Sequence, residues 1–155
     1  MNTKLSALFL ATAGLSAMQT PVDACTGITL KSKEGTTVTA RTIEWAETVM
    51  NTFYVVVPRN QTIQSFTPQG KDGLEFTSRH GYVGLAVEQK EFMVEGVNEK
   101  GLSAGLFYFP NYGKYQSFDE NLKDRCLADF QVVSYVLGLC STVDEVKEAI
   151  RKVRI

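Results

Sequence analysis

Two patterns in the sequence predict an α+β fold, and a third marks where it begins. Short runs of alternating β-branched and apolar residues, separated by turn residues, fill the chain from Thr26 to Phe109. From Leu127 onward the apolar residues recur at helical spacing instead. Strands first and helices after predict helices packed on an antiparallel sheet. Ahead of both, residues 1–24 read as an export signal rather than as fold. Lys4 is a positive start, Leu5 to Ala17 carry no charge, and Val22 and Ala24 put small residues where a signal peptidase cuts. The uncharged run is too short to span a bilayer. One domain is therefore expected over residues 25–155, exported to a bacterial periplasm or secreted, with Cys25 as its first residue.

Taken in order, Thr26 to Lys31 and Thr36 to Arg41 alternate around Lys33-Glu34-Gly35, a hairpin whose far end returns to Cys25. Arg41-Thr42-Ile43-Glu44-Trp45 lie at that end, so a guanidinium and a carboxylate arrive beside the thiol. Thr52 to Val57 is the next strand, closed by Pro58. Residues 59–72 turn polar, with Pro68 and Gly70, and predict an exposed loop or hairpin tip. Glu75 to Ser78 and Tyr82 to Val87 predict a hairpin through His80-Gly81, with His80 a structural or exposed turn residue. Phe92 to Val97, Asn98-Glu99-Lys100-Gly101 and Leu102 to Phe109 make strand, turn, strand; the turn sets where Tyr108 and Phe109 are delivered.

Asn111 to Asn121 reads as a loop whose Tyr112, Tyr115 and Phe118 either line an apolar pocket or fold back on the core. Leu127 to Leu139 puts Phe130, Val133, Val136 or Leu137 and Cys140 on one helical face. A last helix starts at a capping box of Thr142 and Glu145 and continues through Val146, Ala149, Ile150 and Val153. No glycine or proline closes it, so it is expected to run to Ile155, as in a chain cut inside an amphipathic helix.

Composition narrows the function classes. With 16 basic and 17 acidic residues, no basic stripe and no aromatic-basic interleaving, the chain offers no electrostatic case for nucleic acid. Beyond residue 24 no apolar run is long enough for stable membrane insertion. No CxxC or HxxxH spacing exists, so neither a metal nor another cofactor is expected. An unbroken helix between Cys126 and Cys140 would hold their α-carbons ~21 Å apart, and a disulfide needs about 7 Å or less. Both are expected to be buried free thiols, which leaves Cys25 without a bonding partner.

A cysteine at a chain terminus carries a nucleophile and a base together. Free thiols titrate near pH ~8.5 and α-amines near ~7.7–8.0, so the residue needs no histidine. That suits a chain with a single histidine, His80. Arg41 would favour the thiolate, and Glu44 could hold the new α-amine by a charge-assisted hydrogen bond; the alternative is an ordinary ion pair at a strand end. A rival from another class also stays open: a non-catalytic exported or lipid-anchored binding module in which Cys25 carries lipid or nothing.

Three stretches together, Cys25-Thr26-Gly27, Arg41-Thr42-Ile43-Glu44-Trp45 and Val94-Glu95-Gly96-Val97-Asn98-Glu99-Lys100-Gly101-Leu102, resemble the choloylglycine hydrolase family of bile salt hydrolases and penicillin V acylases. The likeness runs from Cys25 to the end of the chain. It implies an αββα sandwich of the N-terminal-nucleophile type, incomplete in this chain, with Cys25 as nucleophile and Arg41 beside it. Glu44 stands where the family usually has an aspartate in contact with the α-amine. Tyr108 falls at a position that contributes to the oxyanion site, where penicillin V acylases often have tyrosine and bile salt hydrolases asparagine. The implied partners are a small amphipathic amide, a conjugated bile salt or penicillin V, and further copies of the chain in a tetramer. The family's later asparagine and arginine would lie beyond Ile155, so the 155-residue chain by itself is expected to be inactive.

Overall fold

The computed structural model describes residues 25–44, 49–108 and 112–155. Residues 1–24, which the sequence reads as an export signal, together with residues 45–48 (Trp45 among them) and 109–111, lie outside the described residues. Strand β1 (Gly27–Lys31) pairs antiparallel with β2 (Thr37–Arg41), Gly27 opposite Arg41. The turn between them needs a residue with positive φ, and Gly35 supplies it at 91°. Ile28 and Leu30 share a face with Val38 and Ala40, as period-2 alternation dictates. That face is open: Ile28, Leu30 and Val38 are all more than half exposed.

Four strands form the main antiparallel sheet in the order β3 (Thr52–Val57), β6 (Tyr82–Val87), β7 (Met93–Asn98), β8 (Ser103–Gly105). Its inner face carries Val55, Val57, Tyr82, Met93, Leu102 and Ala104 against helix α1 (Val132–Leu139), whose Val133 and Leu137 are buried. Gly84 and Gly96 face each other in the register, so nothing projects where α1 lies closest. A Cβ on Gly96 would stand 2.8 Å from Leu137 Cδ1. The outer face holds Tyr54, Val56, Val83 and Val97, all exposed. One face buried and one open is the pattern that alternating sequence produces in an antiparallel sheet.

Between β3 and β6 the chain makes a short ladder of β4 (Thr62–Gln64) with β5 (Glu75–Thr77). Residues 59–72 are therefore not simply an exposed loop; Ser65 is fully buried, its hydroxyl donating to Gln131 Oε1 at 2.8 Å. The hairpin expected through His80-Gly81 does not form. Strand β6 already has β3 on one edge and β7 on the other, so β5 finds β4 instead. The amides of Arg79 and His80 both donate to Gly138 O, which draws the connecting residues toward α1.

The first helix begins later than periodicity suggests. Residues 129–131 form a 3₁₀ turn, and α1 proper starts at Val132. Helix α2 (Val143–Ile150) is capped as expected: Thr142 Oγ1 accepts from Glu145 N, while the Glu145 carboxylate takes the amide of Ser141, one residue before the cap. It does not run to Ile155. Val153 is buried, and Arg154 forms a parallel bridge with Cys126, with Leu127 N donating to Arg154 O at 2.8 Å. The apolar period that suggested more helix is satisfied by an extended segment that buries the same valine. Mixed strands and helices in this order make an α+β chain. Cys126 and Cys140 are free and buried.

Candidate active site

The site is built at the open end of the β1–β2 hairpin. Thr42 N donates to Thr26 O at 2.8 Å, carrying the ladder one pair beyond Gly27 and Arg41. The return bond is irregular: Thr26 N donates to the hydroxyl of Thr42 at 3.1 Å rather than to its carbonyl. Cys25 is the residue just before this last bonded pair, and Arg41 lies one pair inside it, opposite Gly27. Cys25 is half-buried.

Glu44 is exposed, and its Oε1 accepts from Thr42 Oγ1 at 2.8 Å. One hydroxyl therefore links the Glu44 carboxylate to the backbone amide of Thr26, the residue next to Cys25. The spacing of Arg41 and Glu44 indicated a cation and an anion near the thiol; it could not indicate that Thr42 would hold the anion.

Arg41 is tied into the neighbouring sheet. Its Nη1 donates to Val94 O at 2.9 Å and Leu106 O at 2.7 Å, and its Nε donates to Thr42 O at 3.3 Å. The guanidinium also lies 4.6 Å from the ring centroid of Phe107. An arginine read from sequence as a charge beside the thiol is thus also a tether between the hairpin and β7–β8. Strand β7 reaches Asn98, whose buried amide organises the turn to β8. Asn98 Oδ1 accepts from Lys100 N and Leu102 N, and Gly101 completes the turn at φ 80°. Beyond β8 the chain passes Leu106 and Phe107 to Tyr108, which is 57% exposed.

Between the hairpin and the outer face of the sheet lies an open cleft of about 800 Å³, walled by Thr29, Arg41, Tyr54, Leu85, Glu95 and Phe107. Its wall reaches Gly27, two residues from Cys25. A second cleft of about 320 Å³ is mostly apolar and includes Phe66, Tyr115, Phe118 and Phe130. Tyr115 and Phe118 thus line a pocket, whereas Tyr112 is 87% exposed. The Tyr115 phenol is raised above its ordinary pKa, first by its hydrogen bond to the Asp129 carboxylate, with smaller contributions from burial and from Tyr108.

His80 is far along the chain from this end. Its Nε2 is 3.0 Å from Ser141 Oγ and its Nδ1 is 3.5 Å from Glu99, which pairs with Arg59. Among the described residues, no group of three or more His, Cys, Asp or Glu side chains gathers as a metal site would require, and no helix is long and apolar enough to cross a membrane.

Sequence reasoning missed Phe107, Thr42 and the carbonyls of Val94 and Leu106. One signal was present. Gly27 directly follows the Cys25-Thr26 pair inside a strand, and a glycine there often marks close approach by another group; the Phe107 ring is that group.

Comparison with known proteins agrees with the motifs. The chain is 29% identical over 133 residues to a bile salt hydrolase/transferase of Clostridium perfringens, covering 84% of this chain and 39% of that protein. It is 27% identical over 131 residues to a bile salt hydrolase/transferase of Bifidobacterium longum, covering 84% and 40%. A penicillin V acylase of Pectobacterium atrosepticum is 28% identical over 119 residues, covering 74% and 31%. The chain thus spans two fifths or less of the length of these relatives. Residues 25–155 match the family described as linear amide C–N hydrolases, choloylglycine hydrolase family. The match begins at Cys25 and takes in every element described above, and the chain belongs to that family of amide hydrolases.

Proposed function

We propose that the whole protein hydrolyses a non-peptide linear amide through an N-terminal cysteine freed by removal of residues 1–24, and that its substrate is a glycine- or taurine-conjugated bile salt. The observation that carries this reading is the start of the family match at Cys25, the residue that removal of residues 1–24 would leave first. In the reaction the Cys25 thiolate attacks the amide carbonyl and its own α-amine passes a proton to the leaving amine. The C–N bond breaks, a thioester forms, and water then cleaves it to the free acid and the thiol. Donors near Tyr108 steady the oxyanion. Arg41 favours the thiolate and Glu44 anchors the α-amine. The products are a free bile acid plus glycine or taurine.

The open apolar faces of the hairpin and of the main sheet support an αββα sandwich completed by more chain, since exposed apolar sheet faces of this kind call for cover. We assign the activity to that complete form, exported and assembled as a tetramer. Penicillin V is the second reading, favoured by Tyr108 and by the acylase relative; its products would be phenoxyacetate and the aminopenicillanic nucleus.

The test is intact mass and N-terminal analysis of the protein exported from its native gene, before and after a thiol-specific alkylating reagent, followed by assays on both amides. A chain beginning at an alkylatable Cys25 that releases glycine or taurine supports the proposal. A retained signal or a lipid-bearing Cys25 removes the α-amine and ends it. Release of phenoxyacetate alone moves the substrate to penicillin V.

A further inference from the structure

We propose that Phe107 is a positioning residue that clamps the hairpin that follows Cys25 to the segment carrying Tyr108; this rests on the amidase reading above. Three contacts meet on its ring. The Arg41 guanidinium lies over it, 4.6 Å from the centroid. On the hairpin side the ring fills the space left by Gly27, where a Cβ would stand 2.6 Å from Cζ. On the sheet side it lies over Gly105, where a Cβ would stand 3.6 Å from Cε2. Arg41 in turn bonds the carbonyls of Val94 and Leu106, the latter belonging to the residue just before Phe107.

The arrangement is a closed loop of contacts. The ring holds the guanidinium and the hairpin backbone, and the guanidinium holds the carbonyl of Leu106, in the segment after β8 from which the ring projects. Phe107 remains 37% exposed, so global core packing does not explain an aromatic ring here. Its position does: Gly27 is two residues from the nucleophile, and Tyr108 is the next residue along the chain. Phe107 also walls the open cleft beside Gly27; the role assigned to it here is exerted through Gly27, Arg41 and the Tyr108 backbone. A misplacement of about 1 Å between reacting groups can cost on the order of 100-fold in rate.

The glycine makes the clamp testable by a double-mutant cycle in the mature protein from its native gene. Phe107→Ala removes the ring and Gly27→Ala evicts it, so each is expected to lower kcat by roughly 10–100-fold with KM changed by less than about threefold. The double variant should be no worse than the poorer single, because the ring can be lost only once. Phe107→Tyr keeps the ring and should recover most of kcat. Hydrogen exchange over residues 27–41 should quicken in both singles while α1 stays protected, a readout that needs no substrate.

Additive losses, a KM effect with kcat intact, or unchanged exchange in the hairpin would each overturn the clamp. If the wild-type protein cleaves neither glycine- nor taurine-conjugated bile salts nor penicillin V while hairpin exchange still responds, the amidase reading and the catalytic half of this proposal fall together. If it cleaves one of them and the variants match it, only the clamp falls.

Discussion

Asn98 offers the sharpest test of how the turn before Tyr108 is built. Its side chain is 4% exposed and makes four hydrogen bonds to backbone. Nδ2 donates to Leu137 O at 2.9 Å and Cys140 O at 2.7 Å; Oδ1 accepts from Lys100 N and Leu102 N, each at 3.0 Å. The two carbonyls sit at the C-terminal end of α1, where intrahelical partners run out. Asn98→Ala therefore strands groups from two elements. Counting about 1 kcal/mol for each bond, and more where a buried group stays unpaired, the loss is about 3–5 kcal/mol. Set against a typical total of about 5–15 kcal/mol, that is a large share, and melting should fall by roughly 10–20 °C.

Asn98→Asp separates the two halves of the network. The aspartate keeps the acceptor that the turn needs but loses both donors and points a carboxylate at two carbonyls. Its folded-state pKa must then rise, so its penalty relative to wild type is full at neutral pH and shrinks as pH falls through that raised value. Thermal denaturation of wild type, Asn98→Ala and Asn98→Asp at pH 7 and pH 4.5 measures this directly. An aspartate variant as stable as wild type at pH 7, or one whose deficit grows on acidification, would refute the assignment of the two donors.

Three further outcomes are expected. Gly96→Ala drives a methyl to 2.7 Å from Val83 O and 2.8 Å from Leu137 Cδ1, and should cost about 1–3 kcal/mol by forcing α1 off the sheet; an unchanged denaturant midpoint would contradict that contact. The Tyr82 hydroxyl is buried with no partner in hydrogen-bonding geometry, and burial pushes the phenol up to about 12, with nearby Ser134 only moderating the rise. Stability from this protonated phenol is full below its unfolded value near ~10 and lost as pH rises toward 12. Tyr82→Phe should melt no lower than wild type at pH 7 and lose less stability across that alkaline window. Thr42→Val keeps the shape but removes the hydroxyl that accepts from Thr26 and donates to Glu44, so amide turnover should drop roughly 3–10-fold with little change in melting; Thr42→Ser should retain activity, and equal behaviour of the two variants would remove Thr42 from the site.

What the sequence determined by itself was what neighbouring residues decide. The hairpin around Gly35, the Thr52–Val57 strand, the Asn98–Gly101 turn and the Thr142 cap all depend on a few consecutive residues. Cys25 at the hairpin's open end followed from the same local count. Contacts between elements decided the rest. β5 left the expected hairpin because both edges of β6 were already taken, a fact no local pattern carries. The last helix stopped at Ile150, and Val153 is buried beside a bridge from Arg154 to Cys126, a residue 28 positions earlier that no local pattern names. The same holds at the site. The sequence supplied Arg41, but its bonds to Val94 and Leu106 and its stacking on Phe107 join residues more than 50 positions apart, and only the packing of the hairpin on the sheet brings them together.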